Sequence, residues 1–173
     1  MREILSGHEA TRGMERIVSE LLASGSDPTE LALVGIRRGG VPLAEWLAHR
    51  IQLVISQPVP TGSVDITLYR DDAPVPLPNP RIGRSEVPFD VANRRIVLVD
   101  DVLYTGRTVR AAMHALLDYG RSRSIQLAVL VDRGGRELPI QPDYLVKRVD
   151  VPPAACVDVL TDGNEFRAVV VEP

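Results

Sequence analysis

The chain has 173 residues and a formal net charge of −3, from 20 basic and 23 acidic side chains. Its apolar share of 45% and charged share of 25% are ordinary for a globular protein and argue against global disorder. This balance excludes a histone-like protein that binds nucleic acid through bulk positive charge, although a local basic face stays compatible with it. The length fits one domain, residues 1–173. Because the sequence shows neither a signal-peptide pattern nor a membrane-length apolar run, we expect a cytoplasmic protein with no membrane partner.

Helix and strand patterns alternate along the chain. Residues 6–9 carry a capping-box pattern, and apolar residues then recur at helical spacing to position 22. Apolar runs predict strands at 31–36, 63–69, 95–99, 124–131 and 144–149, and helical spacing predicts helices at 41–51 and 108–119. This order favours an α/β fold with a mainly parallel sheet flanked by helices, in which ligands bind beyond the carboxyl ends of the strands.

The last part of the chain predicts a closing β-hairpin. Apolar runs at 156–160 and 166–171 flank Asp162 and Gly163, a pair typical of tight turns. The only cysteine, Cys156, rules out an intramolecular disulfide and a cysteine-based zinc site. Its apolar surroundings predict a buried structural thiol.

Residues 70–90 differ from the rest of the chain. They contain five prolines and lose the apolar periodicity. A segment of this length without secondary structure is unusual inside a compact domain. Composition leaves two interpretations open, namely a lid over a site or a variable surface loop.

The strongest chemical signal is residues 96–108, which read Ile-Val-Leu-Val-Asp-Asp-Val-Leu-Tyr-Thr-Gly-Arg-Thr. A buried strand is followed by Asp100 and Asp101 and then by a turn that opens a helix. The amides at a helix start favour an anion such as phosphate, and Gly106 allows close backbone approach. The two acids can accept hydrogen bonds from sugar hydroxyls or hold water on Mg²⁺. The pattern favours a phosphorylated sugar; the alternative is an ordinary turn with capping acids.

Three segments together resemble the PyrR family of type I phosphoribosyltransferases, which combines pyrimidine operon attenuation with uracil phosphoribosyltransferase activity. These segments are residues 65–72, 99–108 and 127–139. The resemblance implies a type I phosphoribosyltransferase fold and a reaction between uracil and phosphoribosyl pyrophosphate (PRPP) that gives UMP and pyrophosphate. It also implies Mg²⁺ as cofactor, binding of UMP or UTP, and a homodimer or homotetramer.

The resemblance assigns roles to two loops. It implies that PRPP or UMP contacts the turn and its acids, Asp100, Asp101, Val102, Leu103, Tyr104, Thr105, Gly106, Arg107 and Thr108. It places pyrophosphate at Arg38, Gly39 and Gly40, where family members often carry Thr-Arg-Gly, so the basic side chain is displaced by one position here. The implied catalytic residues are Arg38, Arg70, Asp100 and Asp101. We expect Mg²⁺ to be held mainly by the substrate, with Asp100 and Asp101 as the candidate protein ligands.

The base and the lid are assigned in the same way. Tyr104 stands where purine-type relatives carry an aspartate, which favours a pyrimidine. The base is expected beside Val131, Asp132 and Arg133, although a local ion pair between Asp132 and Arg133 is an alternative. Residues 70–90 lie where the family has a flexible lid, so Arg81 and Arg84 are expected to close over the pyrophosphate.

A different class of function is an RNA-binding attenuator that senses uridine nucleotides. Its candidate contacts to a messenger leader are Arg12, Arg16, Arg136, Lys147 and Arg148. Bacillus-type members carry Thr and His where this chain has Glu15 and Ser19, and Arg where it has Gln141. We therefore expect weak binding to a Bacillus-type leader. A third hypothesis is a nucleotide-binding protein in which neither activity matters.

Overall fold

A computed structural model describes residues 1–71 and 84–173 of the chain. The elements are, in chain order, β1 (Arg2–Leu5), α1 (Gly7–Ala23), a 3-10 turn (Pro28–Glu30), β2 (Leu31–Ile36), α2 (Gly40–Ile55), β3 (Thr61–Val64), β4 (Arg95–Leu103), α3 (Arg107–Leu117), β5 (Ser124–Asp132), β6 (Tyr144–Arg148), β7 (Cys156–Asp162) and β8 (Glu165–Val171). None of the helices in these two ranges combines the length and apolarity that crossing a membrane requires.

The core of the fold is a five-stranded parallel sheet with the order β3-β2-β4-β5-β6. Helices α1 and α2 pack on one face and α3 packs on the other, each through an apolar stripe. Strand β2 is buried along its whole length, as its uninterrupted apolar run predicts. The α/β fold is confirmed. Because the chain leaves β2 toward one edge of the sheet and β4 toward the other, the loops after these neighbouring strands open a crevice.

A second, antiparallel sheet has the order β1-β8-β7. It contains the predicted hairpin, in which Asp162 pairs with Glu165. Strand β1, which the sequence did not predict, pairs with β8. The predicted burial of Cys156 is wrong, because β7 is an edge strand and its first residue is exposed.

Two strand boundaries differ from the prediction. The strand predicted at 63–69 ends at Val64, since the Asp65 carboxylate accepts a hydrogen bond from the Thr67 amide and turns the chain. Strand β4 continues beyond Val99 to Leu103, because its pairing with β5 extends that far. The two acids predicted in a loop therefore belong to the end of a strand.

Most of the segment 70–90, including Arg81, lies outside the described residues. In its described part, Arg84 is exposed and Glu86 forms an antiparallel bridge with Ser63.

A buried arginine joins the elements at the amino end of the sheet. Arg95 is 5% exposed. Its guanidinium donates to the carbonyl of Leu21 at 3.2 Å, to the hydroxyls of Ser24 and Tyr144 at 2.8 and 2.7 Å, and to Gln126 Oε1 at 2.7 Å. All four acceptors are neutral oxygens, so dipoles rather than a carboxylate stabilise this charge.

We expect Arg95→Met to destabilise the fold by about 2–4 kcal/mol, since it leaves several buried acceptors unsatisfied. Urea unfolding measures this change in the free energy of unfolding. The matched control is Arg121→Met, because Arg121 is exposed. A variant as stable as the control would contradict the expected role of Arg95.

Candidate active site

The loop after β2, residues 37–40, packs directly onto the end of β4. A Cβ atom added at Gly39 would lie 2.0 Å from Asp101 Oδ2, and one added at Gly40 would lie 2.0 Å from the Val99 carbonyl oxygen. No side chain fits at either position without displacement. The glycines therefore allow the loop and the acid pair to share one crevice.

The two arginines of this loop have different roles. The Arg37 guanidinium donates to Ser63 Oγ at 3.2 Å and faces Glu86 at 3.7 Å. The Arg38 side chain is exposed and makes no hydrogen bond or ion pair within the described residues. The peptide between them is cis. Arg38 is therefore the cation that is free to meet an anionic ligand at this loop.

Asp100 and Asp101 end β4 in different environments. Asp100 is 5% exposed, and its carboxylate accepts the Asp101 amide at 3.0 Å. Burial, and then the charge of Asp101, raise the pKa of Asp100 well above its ordinary value. Asp101 is half-buried, accepts the Val102 amide at 2.8 Å and faces Gly39. The pair can accept hydrogen bonds from hydroxyl groups while disfavouring full ionisation in the absence of a ligand.

The turn between β4 and α3, residues 104–106, presents the start of a helix to the same crevice. Gly106 precedes α3 with a φ of +93°, a conformation that suits glycine. Residues 107–109 begin the helix and have amides without helical acceptors. Leu103 is buried and Val102 packs against the core, so both would meet a ligand through the backbone. This arrangement can accept an anion at a helix N-terminus.

The Arg107 side chain is engaged by two acids. It pairs with Glu137 at 2.7 Å and with Asp71 at 3.0 Å. The hydrogen bond to Glu137 and the charge of Asp71 raise the pKa of Arg107. A contact between Arg107 and a phosphate would therefore use its amide.

On the far side of the turn, the residues expected to bind a base are largely buried. Val131 and Asp132 have no exposed surface, and Arg133 is 8% exposed. The guanidinium of Arg133 lies over the Tyr104 ring, 4.1 Å from its centroid, and donates to the Ala155 carbonyl at 2.7 Å. A cavity of about 510 Å³ borders Tyr104 and Arg133. The structure thus brings Tyr104 and Arg133 together.

Asp132 does not pair with Arg133, so that alternative is wrong. Its carboxylate pairs with Arg136 at 2.8 Å and with Arg148 at 3.2 Å. The sequence offered little sign of these partners. Gly134 and Gly135 have φ values of +70° and +75°, and they turn the chain so that Arg136 returns to Asp132. The pair of glycines was the signal that could have indicated it.

The candidate RNA contacts form two separate groups. Arg12, Arg16 and Lys147 border a groove of about 450 Å³ beside α1. Arg136 and Arg148 lie around Asp132. In the first group, Arg16 pairs with Glu20 and Lys147 pairs with Glu9, whereas Arg12 is exposed and has no partner within the described residues.

Asp100→Asn is expected to stabilise the unliganded protein at pH 7–8 relative to wild type. Folding raises the pKa of Asp100. The free energy of unfolding of the wild type therefore falls as the pH rises from the ordinary pKa of this carboxyl through its pKa in the folded protein. The loss is about 1.4 kcal/mol for each pH unit that separates the two values. Asparagine carries no charge at any pH. The stability advantage of Asp100→Asn over wild type should therefore disappear at low pH, where the aspartate is also neutral. Urea unfolding across pH 4–8 measures it.

The control for this prediction is Asp158→Asn, which removes an exposed carboxylate on β7. A stability difference for Asp100→Asn that does not change with pH would contradict the prediction.

Comparison with known proteins places this geometry in a family. Residues 1–159 match the phosphoribosyl transferase domain. A bifunctional protein PyrR of Deinococcus radiodurans is 49% identical over 166 residues, which cover 94% of this chain and 91% of the relative. A bifunctional protein PyrR of Pelotomaculum thermopropionicum is 49% identical over 173 residues, with 98% and 95% coverage.

Solved structures share the fold. A hypoxanthine phosphoribosyltransferase of Staphylococcus aureus has a TM-score of 0.68 at 18% identity and covers 90% of this chain and 80% of its own. A purine phosphoribosyltransferase of Pyrococcus horikoshii has a TM-score of 0.64 at 25% identity, with 86% and 89% coverage. With the domain match and the close relatives, these likenesses show that the chain belongs to the phosphoribosyl transferase domain family and, within it, to the family of bifunctional PyrR proteins.

Proposed function

We propose that the chain transfers the ribose 5-phosphate group of PRPP to uracil, forming UMP and releasing pyrophosphate. The observation that carries the proposal is the contact between Gly39 and Asp101, which brings a free arginine, two carboxylates and a helix start into one crevice. PRPP carries a pyrophosphate, two ribose hydroxyls and a 5′-phosphate. The crevice offers one group of donors or acceptors for each.

Each part of PRPP has a partner in this arrangement. The 5′-phosphate binds the turn and the first amides of α3, with hydroxyls from Thr105 and Thr108. Asp100 and Asp101 accept hydrogen bonds from the ribose hydroxyls. Gly39, Gly40 and the Arg38 guanidinium hold the pyrophosphate. The spacing follows from the parallel pairing of β2 with β4.

Catalysis then depends on positioning and charge. The bond between ribose C1 and the pyrophosphate oxygen breaks as the bond from C1 to uracil N1 forms, and the N1 proton passes to the departing pyrophosphate. Positive charge develops on the ribose and negative charge on the leaving group. Arg38 neutralises the leaving pyrophosphate, while Asp101 stands near the cationic sugar. Arg70 and Arg84, which are both exposed, are the further cations that we propose for the pyrophosphate side.

The donor set fits a magnesium ion that arrives with PRPP. No group of three or more His, Cys, Asp or Glu side chains is arranged as a metal site in the described ranges. Asp100 and Asp101 are oxygen donors of the kind that Mg²⁺ prefers, and through water they can hold an ion whose other ligands are substrate oxygens. Bound there, Mg²⁺ would neutralise part of the pyrophosphate charge.

The base belongs in the cavity beside Tyr104 and Arg133. Uracil has two carbonyl oxygens and one N3–H group, so it needs donors as well as one acceptor. Arg148 at the cavity edge offers donors. The backbone of Gly134 and Gly135 also borders the cavity and offers carbonyl acceptors and the Gly135 amide, since the Gly134 amide already donates to Asp132. Tyr104 lacks the carboxylate with which purine-type relatives accept a hydrogen bond from the purine. This difference favours a pyrimidine base.

We expect uracil to be converted to UMP in the presence of PRPP and Mg²⁺, and EDTA to abolish the reaction. Arg38→Gln should raise the KM for PRPP about tenfold, because a charge-assisted hydrogen bond to pyrophosphate is lost. Arg121→Gln is the control, since Arg121 is exposed and remote from the crevice. Chromatographic detection of UMP measures the rates. Turnover of hypoxanthine or guanine without turnover of uracil would overturn the pyrimidine assignment.

A second function, regulation through RNA, is favoured by the bifunctional relatives and by the groove beside α1. Arg12, Arg16 and Lys147 border this groove and could meet phosphates. The acids nearby offset their charge, since Glu9 pairs with Lys147 and Glu20 pairs with Arg16. We therefore propose a weak electrostatic contact to RNA, consistent with the net charge of −3.

We expect little binding to a Bacillus-type leader hairpin in gel shift experiments with UMP. Glu15 pairs with Arg50 at 2.7 Å and so offsets a nearby cation, and Gln141 stands where Bacillus-type members carry arginine. The combined variant Glu15→Thr, Ser19→His, Gln141→Arg should bind more tightly and with a steeper salt dependence. Tight, UMP-stimulated and salt-sensitive binding by the unmodified protein would mean that the RNA surface lies elsewhere.

A further inference from the structure

The loop that follows β5, residues 132–141, is bonded to the backbone of the turn. The Leu103 carbonyl accepts the Arg133 amide at 3.0 Å, and the Thr105 carbonyl accepts the Glu137 and Leu138 amides at 2.9 and 3.1 Å. We call residues 132–141 the support loop. The Tyr104 carbonyl lies between these two, and it accepts its hydrogen bond from a side chain rather than from the backbone.

That side chain is Arg136. Its guanidinium donates to the Tyr104 carbonyl at 2.6 Å, to the Ile140 carbonyl at 2.7 Å and to Asp132 Oδ2 at 2.8 Å. The side chain is only 13% exposed. All three nitrogens of the guanidinium are therefore engaged inside the protein, which a single ammonium group could not reproduce.

Asp132 anchors the arginine. It has no exposed surface and also accepts the Gly134 amide at 2.9 Å. Burial alone would raise its pKa, but the Gly134 hydrogen bond and the charges of Arg136 and Arg148 hold the pKa of Asp132 below its ordinary value. An ionised carboxylate at the end of β5 thus positions the Arg136 guanidinium.

Because peptide groups are planar, these hydrogen bonds also fix the orientation of the amides on the ligand side of the turn. In a trans peptide the carbonyl of one residue and the amide of the next point in opposite directions within one rigid plane. Fixing the carbonyls of Leu103, Tyr104 and Thr105 therefore fixes the amides of the next residue in each case. The hydrogen bond from Arg136 fixes the peptide plane between Tyr104 and Thr105, and so it fixes the direction of the Thr105 amide.

We propose that Arg136 is a positioning residue for the 5′-phosphate of the ribose, acting through the Tyr104 carbonyl rather than by contact with substrate. The proposal rests on the proposed function only in that the turn binds this phosphate. It also gives Arg136 a different role from the RNA contact expected from sequence. The pyrophosphate loop, residues 37–40, is not bonded to the support loop, so its ligand should be unaffected.

The test measures binding of two separate probes by calorimetry, ribose 5-phosphate alone and inorganic pyrophosphate with Mg²⁺. For Arg136→Gln we expect about tenfold weaker binding of ribose 5-phosphate, as for loss of one well-placed hydrogen bond, and pyrophosphate affinity within about twofold of wild type. Arg121→Gln, which removes an exposed arginine outside the crevice, should change neither.

Arg136→Lys keeps the charge beside Asp132 and guards against a variant that fails to fold. It should melt near the wild-type temperature yet still bind ribose 5-phosphate more weakly, because one ammonium group cannot hold Asp132, Tyr104 and Ile140 together. Four results would each overturn the proposal. Two concern Arg136→Gln: equal losses of affinity for both probes, or an unchanged affinity for ribose 5-phosphate. The other two are full rescue of binding by Arg136→Lys and a wild-type protein that does not bind ribose 5-phosphate. Binding that depends on Arg136 without turnover of uracil would instead overturn the proposed reaction alone.

Discussion

The packing of Gly39 against the Asp101 carboxylate is the contact on which the site depends. The parallel register of β2 and β4, from Leu31 with Arg95 to Gly35 with Val99, brings the two strand ends level. A side chain at position 39 would force the loop and the carboxylate apart. This close approach brings the two loops together at one edge of the sheet, because α2 and α3 both begin just after these strands end.

In the proposed site, neutral backbone groups face the anions of the substrate, which explains how a protein of negative net charge would bind it. Most of the arginines near the crevice already have partners: Arg37 contacts Ser63, and Arg107 pairs with Glu137. Arg38, by contrast, has an exposed guanidinium with no partner among the described residues. The fixed amide dipoles supply the remaining attraction, and they do so without making the surface generally attractive to polyanions.

The parts of the fold governed by local pattern were predictable from sequence, and those governed by remote partners were not. The strand at 31–36 and the capping box at Ser6 agree with the structure, since an apolar run determines the first and short-range hydrogen bonds determine the second. The acids at 100 and 101 were recognised, but their place on β4 depends on how far β5 runs beside it. The alternative of an ion pair between Asp132 and Arg133 was wrong, because the partner of Asp132 depends on the path of the loop after two glycines with positive φ. Cys156 was misassigned because a hydrophobic run does not reveal that its strand lies at a sheet edge.

Arg95 bears on how the domain assembles. Its acceptors lie 74, 71, 31 and 49 positions away in the chain, on or just after α1 and on β5 and β6. A guanidinium can leave water only when its acceptors are in place, so a state that buries β4 before α1 and β6 have docked carries an unsatisfied charge. Such half-formed states are raised in free energy relative to both the unfolded and the native chain. One buried cation at the base of the sheet thus makes folding more cooperative, by linking segments that close long loops.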